Sequence, residues 1–277
     1  MTRKQIKAQA KGLMRTSKPK PVYVTIVYVV ILMVIAVLSF KLVGEPVAKA
    51  YSSVMGSMGI YDANGFLAPD AYDKLQNFDY DAFYSALTRE GPTTTARLLD
   101  LLLSVVEAVI GAGFIIFTLR TIDGSGATCW NLFDGFAMFF RIILLYIVEG
   151  IFIFLWALLF FFPGIVAMYR YRMAIYLLLE HPEMSVMDCI RESKRLMKGH
   201  KWELFVFDLS FIGWLLLISF MDGFGAGLGV MLFNVIGLGY IGLVFLLPYR
   251  QLSYSLYYRQ LTAVPASGAE DAWTPEL

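Results

Sequence analysis

Several stretches of this chain are apolar over the length that a helix needs to cross a lipid bilayer. Residues 22–40 contain no charged side chain, and a helix of about 20 apolar residues spans the hydrocarbon core. Over the whole chain 58% of the residues are hydrophobic and 16% are charged, with a mean hydropathy of +0.64. A soluble protein of this size needs more charge to cover its surface. The sequence therefore predicts an all-α integral membrane protein.

The apolar stretches predict a bundle of about six transmembrane helices, at residues 22–40, 98–119, 142–162, 165–179, 204–221 and 228–247. The fourth stretch is short, because a helix over 165–179 reaches only about 22 Å against a core of about 30 Å. It must be extended by its flanks, lie beside a water-filled cavity, or re-enter the membrane. Around these spans we expect a leader at 1–20, a membrane domain at 21–262 with an outer loop at 41–97, and a disordered tail at 263–277.

The distribution of charge predicts the orientation of the bundle. Residues 1–20 carry seven Lys/Arg and no Asp/Glu, and residues 191–201 are also basic. The loop at 41–97 carries five Lys/Arg against seven Asp/Glu. Because cytoplasmic loops are enriched in Lys and Arg, both termini are predicted to be cytoplasmic.

The leader has two interpretations. Thr2 and Gln5 have the spacing of a capping box, and an apolar stripe follows at Ile6, Ala10 and Leu13. This pattern predicts a short surface helix. A disordered basic segment fits the composition of the leader equally well.

Residues 185–201 form a basic arm that is predicted to be a cytoplasmic amphipathic helix. Ser185 and Asp188 have capping-box spacing. Gly199 can adopt the left-handed conformation that ends a helix. The apolar stripe comprises Val186, Ile190, Ser193 and Met197. The candidate lipid-contacting cations are Arg191, Lys194, Arg195, Lys198 and Lys201.

We expect the cations of the arm to contact anionic lipid headgroups, since each Lys or Arg near such a surface contributes about 1 kcal/mol. In the alternative, Asp188, Glu192 and Glu203 neutralise the cations locally. The helix then docks on other cytoplasmic segments.

The chain resembles a bacterial membrane-protein family known as a domain of unknown function (number 975). The resemblance is carried by TRKQIKAQAKGLMR, NLFDGF, FFPGIVAMYRYRMA, SVMDCIRESKRLMKGHKWELFVFDLSFIGW and PYRQLSYSLYYRQL. It implies a multi-pass protein of the bacterial inner membrane, distantly similar to the membrane domains attached to some glycerophosphodiester phosphodiesterases. It implies no catalytic residues.

The remaining motifs indicate no enzyme, cofactor, metal site or nucleic-acid contact. Cys129 and Cys189 are too far apart for a disulfide framework or a zinc site. Gly237, Gly239 and Gly242 have the spacing of a dinucleotide motif, but they lie in an apolar span, where small residues serve helix packing. The two histidines have no nucleophile and base around them that would suggest a hydrolase.

Charged residues inside the predicted spans are the candidates for function. An isolated charge at the bilayer centre costs about 2.5–3.5 kcal/mol on an insertion scale, so each one needs a partner or water. One interpretation is a polar transport pathway; the other is interhelical pairing, with Asp208 bonding a nearby hydroxyl such as Ser210 or a tyrosine. From matching depths, we expect Glu107 to pair with one of two arginines. The candidates are Glu107, Glu149, Arg170, Arg172 and Asp208.

Two functions follow from these patterns. We expect a non-enzymatic membrane scaffold or assembly module whose basic arm contacts lipid or an unidentified protein partner. The alternative is a small transporter of solutes or ions that uses the intramembrane charges.

Overall fold

The computed structural model describes residues 2–61, 66, 68–227 and 238–263, which are about 85% helical and contain no strand. We number twelve α-helices in chain order. They are α1 Arg3–Thr16, α2 Pro21–Ser39, α3 Glu45–Ser57, α4 Ala71–Gln76, α5 Tyr80–Glu90, α6 Thr94–Asp123, α7 Phe139–Leu159, α8 Phe161–Tyr171, α9 Ala174–Glu180, α10 Val186–Leu196, α11 Lys201–Gly227 and α12 Leu238–Ala263. A π-helical turn at Phe40–Gly44 joins α2 to α3, and a 3-10 helix at Cys129–Met138 precedes α7.

Among the described residues, four helical runs are long and apolar enough to cross a membrane: Pro21–Ser57, Thr94–Asp123, Cys129–Leu159 and Lys201–Phe220. They correspond to the first, second, third and fifth predicted spans. The fourth predicted span, 165–179, is divided between α8 and α9, with a break at Arg172 and Met173. The sixth, 228–247, lies partly outside the described residues, as does nearly all of the predicted tail.

The surface of α7 matches the surface of a helix that faces lipid. Large apolar side chains at helical spacing are exposed along one stripe of this helix: Leu144, Ile147, Ile151, Phe154 and Leu158. Ile142 and Leu145, on another face, are fully buried. An apolar stripe of this size is unusual on a soluble monomer, so these helices fit a multi-pass membrane protein.

The chain divides into two compact units, one formed by Met1–Val30 with Ala108–Leu277 and the other by Ile31–Glu107. In the second unit, α3 packs against α5 through Ala50, Val54 and Ala86. The Asp79 carboxylate accepts a hydrogen bond from the Ala82 N–H and caps α5. This cap marks the start of α5.

The first unit holds the main core, and two basic helices contribute to it. On α10, all four residues of the predicted stripe are buried, and Ser185 caps the helix as predicted. Gly199 follows with a φ of 86°, the left-handed conformation that glycine adopts without strain. On α1, the Thr2 capping box is formed and Ile6 and Ala10 are buried. The leader is thus a packed helix, not a disordered segment.

Candidate functional site

The break between α8 and α9 is held by a serine of α10. The Met173 N–H donates to Ser193 Oγ at 3.2 Å, and the Ser193 hydroxyl donates to the Arg170 carbonyl at 3.0 Å. A helix break in apolar surroundings leaves backbone groups that need partners. Ser193 supplies one donor and one acceptor at this point, and the break places Arg172 between the ends of the two helices.

Asp208, in the first third of α11, accepts two hydrogen bonds from tyrosines on other helices. Tyr169 of α8 donates at 3.0 Å and Tyr254 of α12 donates at 2.6 Å. The guanidinium carbon of Arg172 lies 5.1 Å from the centroid of the Tyr254 ring, within cation–π range. These contacts connect α8, α11 and α12 around one carboxylate.

Glu149 of α7 is a second carboxylate that interacts with Arg172. Its Oε1 atom is buried, with no hydrogen-bond partner in the part of the chain that the structure describes. Arg172 interacts electrostatically with Glu149 and with Asp208. One arginine therefore lies within electrostatic range of two carboxylates on different helices. We refer to Glu149, Tyr169, Arg172, Asp208 and Tyr254 as the charge cluster.

Three of the five intramembrane candidates thus come together in the charge cluster. The side chain of Arg170 instead lines an apolar pocket of about 350 Å³ with Trp156, Pro163 and Val166. Glu107 is exposed and is the last residue of the second unit, so its pairing with an arginine stays a prediction. The expectation that Asp208 bonds a tyrosine is confirmed.

A second ionic group, which the sequence analysis missed, lies where α6, α9 and α12 end. Arg259 pairs with Asp123 and, at 2.5 Å, with Glu180. The Tyr258 hydroxyl donates to Glu180 at 2.7 Å. A pocket of about 560 Å³ beside it is lined in part by Arg120, Asp123, Asp134 and Glu180. Arg120 pairs with Asp134 at 3.2 Å, so this pocket contains charges of both signs that are already paired.

Arg141 of α7 was missed as well. Its guanidinium donates to the carbonyls of Pro182 and Met184, in the connection between α9 and α10. This arginine fastens the start of the arm to α7. The signal available in the sequence was a single arginine just before an apolar span, which is also typical of an interfacial anchor.

The arm neutralises much of its own charge. Arg191 pairs with Asp188 at 3.1 Å, and Arg195 pairs with Glu192 at 2.5 Å. The Ser185 hydroxyl holds the pKa of the Asp188 carboxyl below its usual value, and Arg191 adds to this effect.

The other cations of the arm are arranged differently. Lys194 lies 5.6 Å from the ring centroids of Phe152 and Tyr171. Lys198 and Lys201 form no ion pair within the described ranges. Glu203 instead accepts contacts from His200 and Tyr257. Local neutralisation, the alternative left open by the sequence, is therefore observed for Arg191 and Arg195.

Comparison with known proteins adds one match. Residues 162–264 match a family model described as Protein of unknown function (DUF975). The resemblance predicted from the sequence is confirmed over this range, which includes α10, Arg172, Asp208 and Tyr254 but not Glu149. No curated protein and no solved structure matches the chain.

Proposed function

We propose that this chain is a non-enzymatic multi-pass scaffold or assembly module of the bacterial inner membrane, with both termini in the cytoplasm. The observation that carries the proposal is the double hydrogen bonding of Asp208 by Tyr169 and Tyr254. A carboxylate whose two oxygens are both occupied by hydroxyls of neighbouring helices is suited to holding those helices together.

The energetics favour a structural role for these charges. An unpartnered charge inside a bilayer is costly, whereas a hydrogen-bonded charge beside an opposite charge recovers much of that cost. In the charge cluster, Arg172 has carboxylates on α7 and α11, and Asp208 has donors on α8 and α12. Asp208 therefore joins three helices by hydrogen bonds, and the electrostatic interaction of Arg172 with Glu149 adds α7 to the group.

The arm fits this function because it holds other helices of the same protein in place. Its apolar stripe packs against α7, α8 and α9, and Ser193 holds the break beside Arg172. The exposed Lys198, near the end of the arm, is available to a protein partner in the cytoplasm. Contact between the arm and anionic lipid stays a prediction, and the ion pairs of Arg191 and Arg195 weaken it.

One observation favours the rival function, transport of a small solute or ion. Arg172 is exposed although its electrostatic partners lie on α7, α8, α9, α11 and α12, and Glu149 Oε1 has no partner among the described residues. A cation that interacts with groups on five helices, close to a carboxylate oxygen without a partner, is an arrangement also found along ion pathways.

Flux and stability measured on the same proteins separate the two functions. The full chain is reconstituted into liposomes that contain a pH-sensitive dye, and proton and K⁺ leakage are compared with those of empty liposomes. The scaffold predicts no added leakage for the wild type or for Glu149→Gln. It also predicts that Asp208→Asn lowers the free energy of unfolding by about 1–3 kcal/mol, because two tyrosine hydroxyls lose a charged acceptor.

Leakage above that of empty liposomes, abolished by Glu149→Gln in a protein that remains folded, would contradict the scaffold and support transport. Ser52→Ala is the matched control for stability, because Ser52 is exposed and bonds only within its own helix.

A further inference from the structure

The leader helix α1 is anchored to the bundle by one of its own lysines. Lys7 Nζ donates to Ser210 Oγ at 2.6 Å and lies 4.3 Å from the centroid of the Phe211 ring. Ile6 and Ala10 are fully buried beside it. Since Ser210 and Phe211 belong to the candidate span Lys201–Phe220, α1 is held directly against a helix that is suited to crossing the bilayer.

The outer side of α1 carries cations that no residue in the described part of the chain neutralises. Lys4, Lys11 and Arg15 recur at helical spacing on one stripe, and all three are exposed. None of them forms an ion pair with any described residue. The nearest contact is that of Lys11 with the Tyr249 ring, at 5.8 Å. The first acidic residue in the chain is Glu45, so the leader has no carboxylate of its own.

The charges within α1 also act on one another. Burial lowers the pKa of the Lys7 ammonium, and the positive charges of Lys11 and Arg3 lower it further. Neighbouring cations with no anion between them repel one another, so an anionic partner at this surface relieves the repulsion.

The charges of α10 are arranged differently from those of α1. Two of its arginines are held by Asp188 and Glu192 at one-turn spacing. Both helices bury their apolar stripes in the same unit, but α1 alone presents a stripe of cations without internal counter-charges.

We propose that the exposed stripe of Lys4, Lys11 and Arg15 on α1 binds the headgroups of anionic phospholipids. Charge complementarity and the contact of α1 with the candidate span α11 carry the proposal, because a cationic helix fixed beside a spanning helix lies within reach of the headgroups. A polybasic surface with a fixed position binds anionic lipid in preference to zwitterionic lipid, and the preference weakens as salt is raised. This inference goes beyond the proposed function and does not depend on it.

The test uses the full chain in nanodiscs of phosphatidylcholine to which phosphatidylglycerol is added in steps, with bound phosphatidylglycerol counted by native mass spectrometry. The variant Lys4→Gln/Arg15→Gln removes two unpaired cations of α1. Arg191→Gln/Arg195→Gln removes the same charge from α10 and is the matched control. We expect the α1 variant to need about five-fold more phosphatidylglycerol for each cation removed, roughly twenty-five-fold in all. The α10 variant should stay within about two-fold of the wild type, because its cations were already paired.

An equal shift in both variants, or no shift in either, would overturn the proposal. Displacement of phosphatidylglycerol by millimolar inorganic phosphate would overturn it too, since it would indicate a discrete anion site. Lys4→Arg/Arg15→Lys keeps the charge and must bind as the wild type does. If it binds as poorly as the glutamine variant, folding and not charge explains the loss, and the proposal fails.

Discussion

The helices α1 and α10 have the same design and different electrostatic surroundings. Each begins with a capping hydroxyl, each buries an apolar stripe in the first unit, and each carries several cations on its remaining surface. On α10, acidic residues one turn away pair with two of the arginines. On α1 there are no acidic residues. Both helices are basic by the number of their cations. The positions of the acidic residues determine which helix has cations free to bind an outside partner.

The two helices also differ in what they hold in place. Ser193 of α10 bonds the backbone at the break that positions Arg172. The polar anchor of α1 is the contact between Lys7 and Ser210, on the exposed side of α11. α10 therefore contacts the charge cluster through the break at Arg172, whereas α1 packs against α11 and α12, the helices that carry Asp208 and Tyr254.

The largest expected losses of stability come from substitutions of core residues on α1 and α10. They test whether the two helices pack equally firmly against the core. Ile6 and Ile190 are each 0% exposed, so Ile6→Ala and Ile190→Ala should each lower the free energy of unfolding by about 2–4 kcal/mol. Chemical denaturation of the purified protein in detergent measures both values. Met187→Ala is the control on α10, because Met187 is 43% exposed. If Ile6→Ala has no more effect than this control, α1 is not part of the core.

A smaller effect sharpens the difference between the helices. Ser193→Ala removes a hydroxyl that serves one backbone donor and one backbone acceptor, and it should cost about 1–3 kcal/mol. Ser210→Ala removes the acceptor of Lys7, whose ammonium remains near the Phe211 ring and water. It should cost less than about 1 kcal/mol. Equal losses in the same denaturation assay would show that the break at Arg172 does not depend on Ser193.

The smallest effect concerns the exposed ion pairs. Arg195→Gln removes a salt bridge between side chains that are both accessible to solvent, so the expected loss is about 0.3–0.5 kcal/mol, and it should vanish in high salt. Lys4→Gln should leave stability unchanged within error, because no ion pair is lost. A loss above about 1 kcal/mol for Lys4→Gln would reveal a partner for this cation.

The features that the sequence predicted well have local causes. The cap at Ser185, the stop at Gly199 and the buried stripe of α10 each depend on residues within a few positions of one another. The apolar length of a span is local in the same sense. The capping-box spacing of Thr2 and Gln5 also predicted a helix in the leader, although composition alone could not exclude disorder.

The features that were missed depend on residues far apart in the chain. Charge inside a span indicated that Arg172 and Asp208 need partners, but nothing near them identified Tyr254 as one. The division of the fourth predicted span could not be foreseen either, because the hydroxyl that holds the break comes from Ser193 on a later helix. Arg259 with Asp123 and Glu180 is a case of the same kind.

The most direct test of a structural role for the intramembrane charges is a double-mutant cycle between Asp208 and Tyr254. The free energy of unfolding is measured for Asp208→Asn, Tyr254→Phe and the double variant. If their hydrogen bond holds α11 to α12, the two losses are not additive, and the coupling is about 0.5–2 kcal/mol. Strictly additive losses would show that the two side chains do not stabilise each other, and would contradict the account of the charge cluster as the contact that holds these helices together.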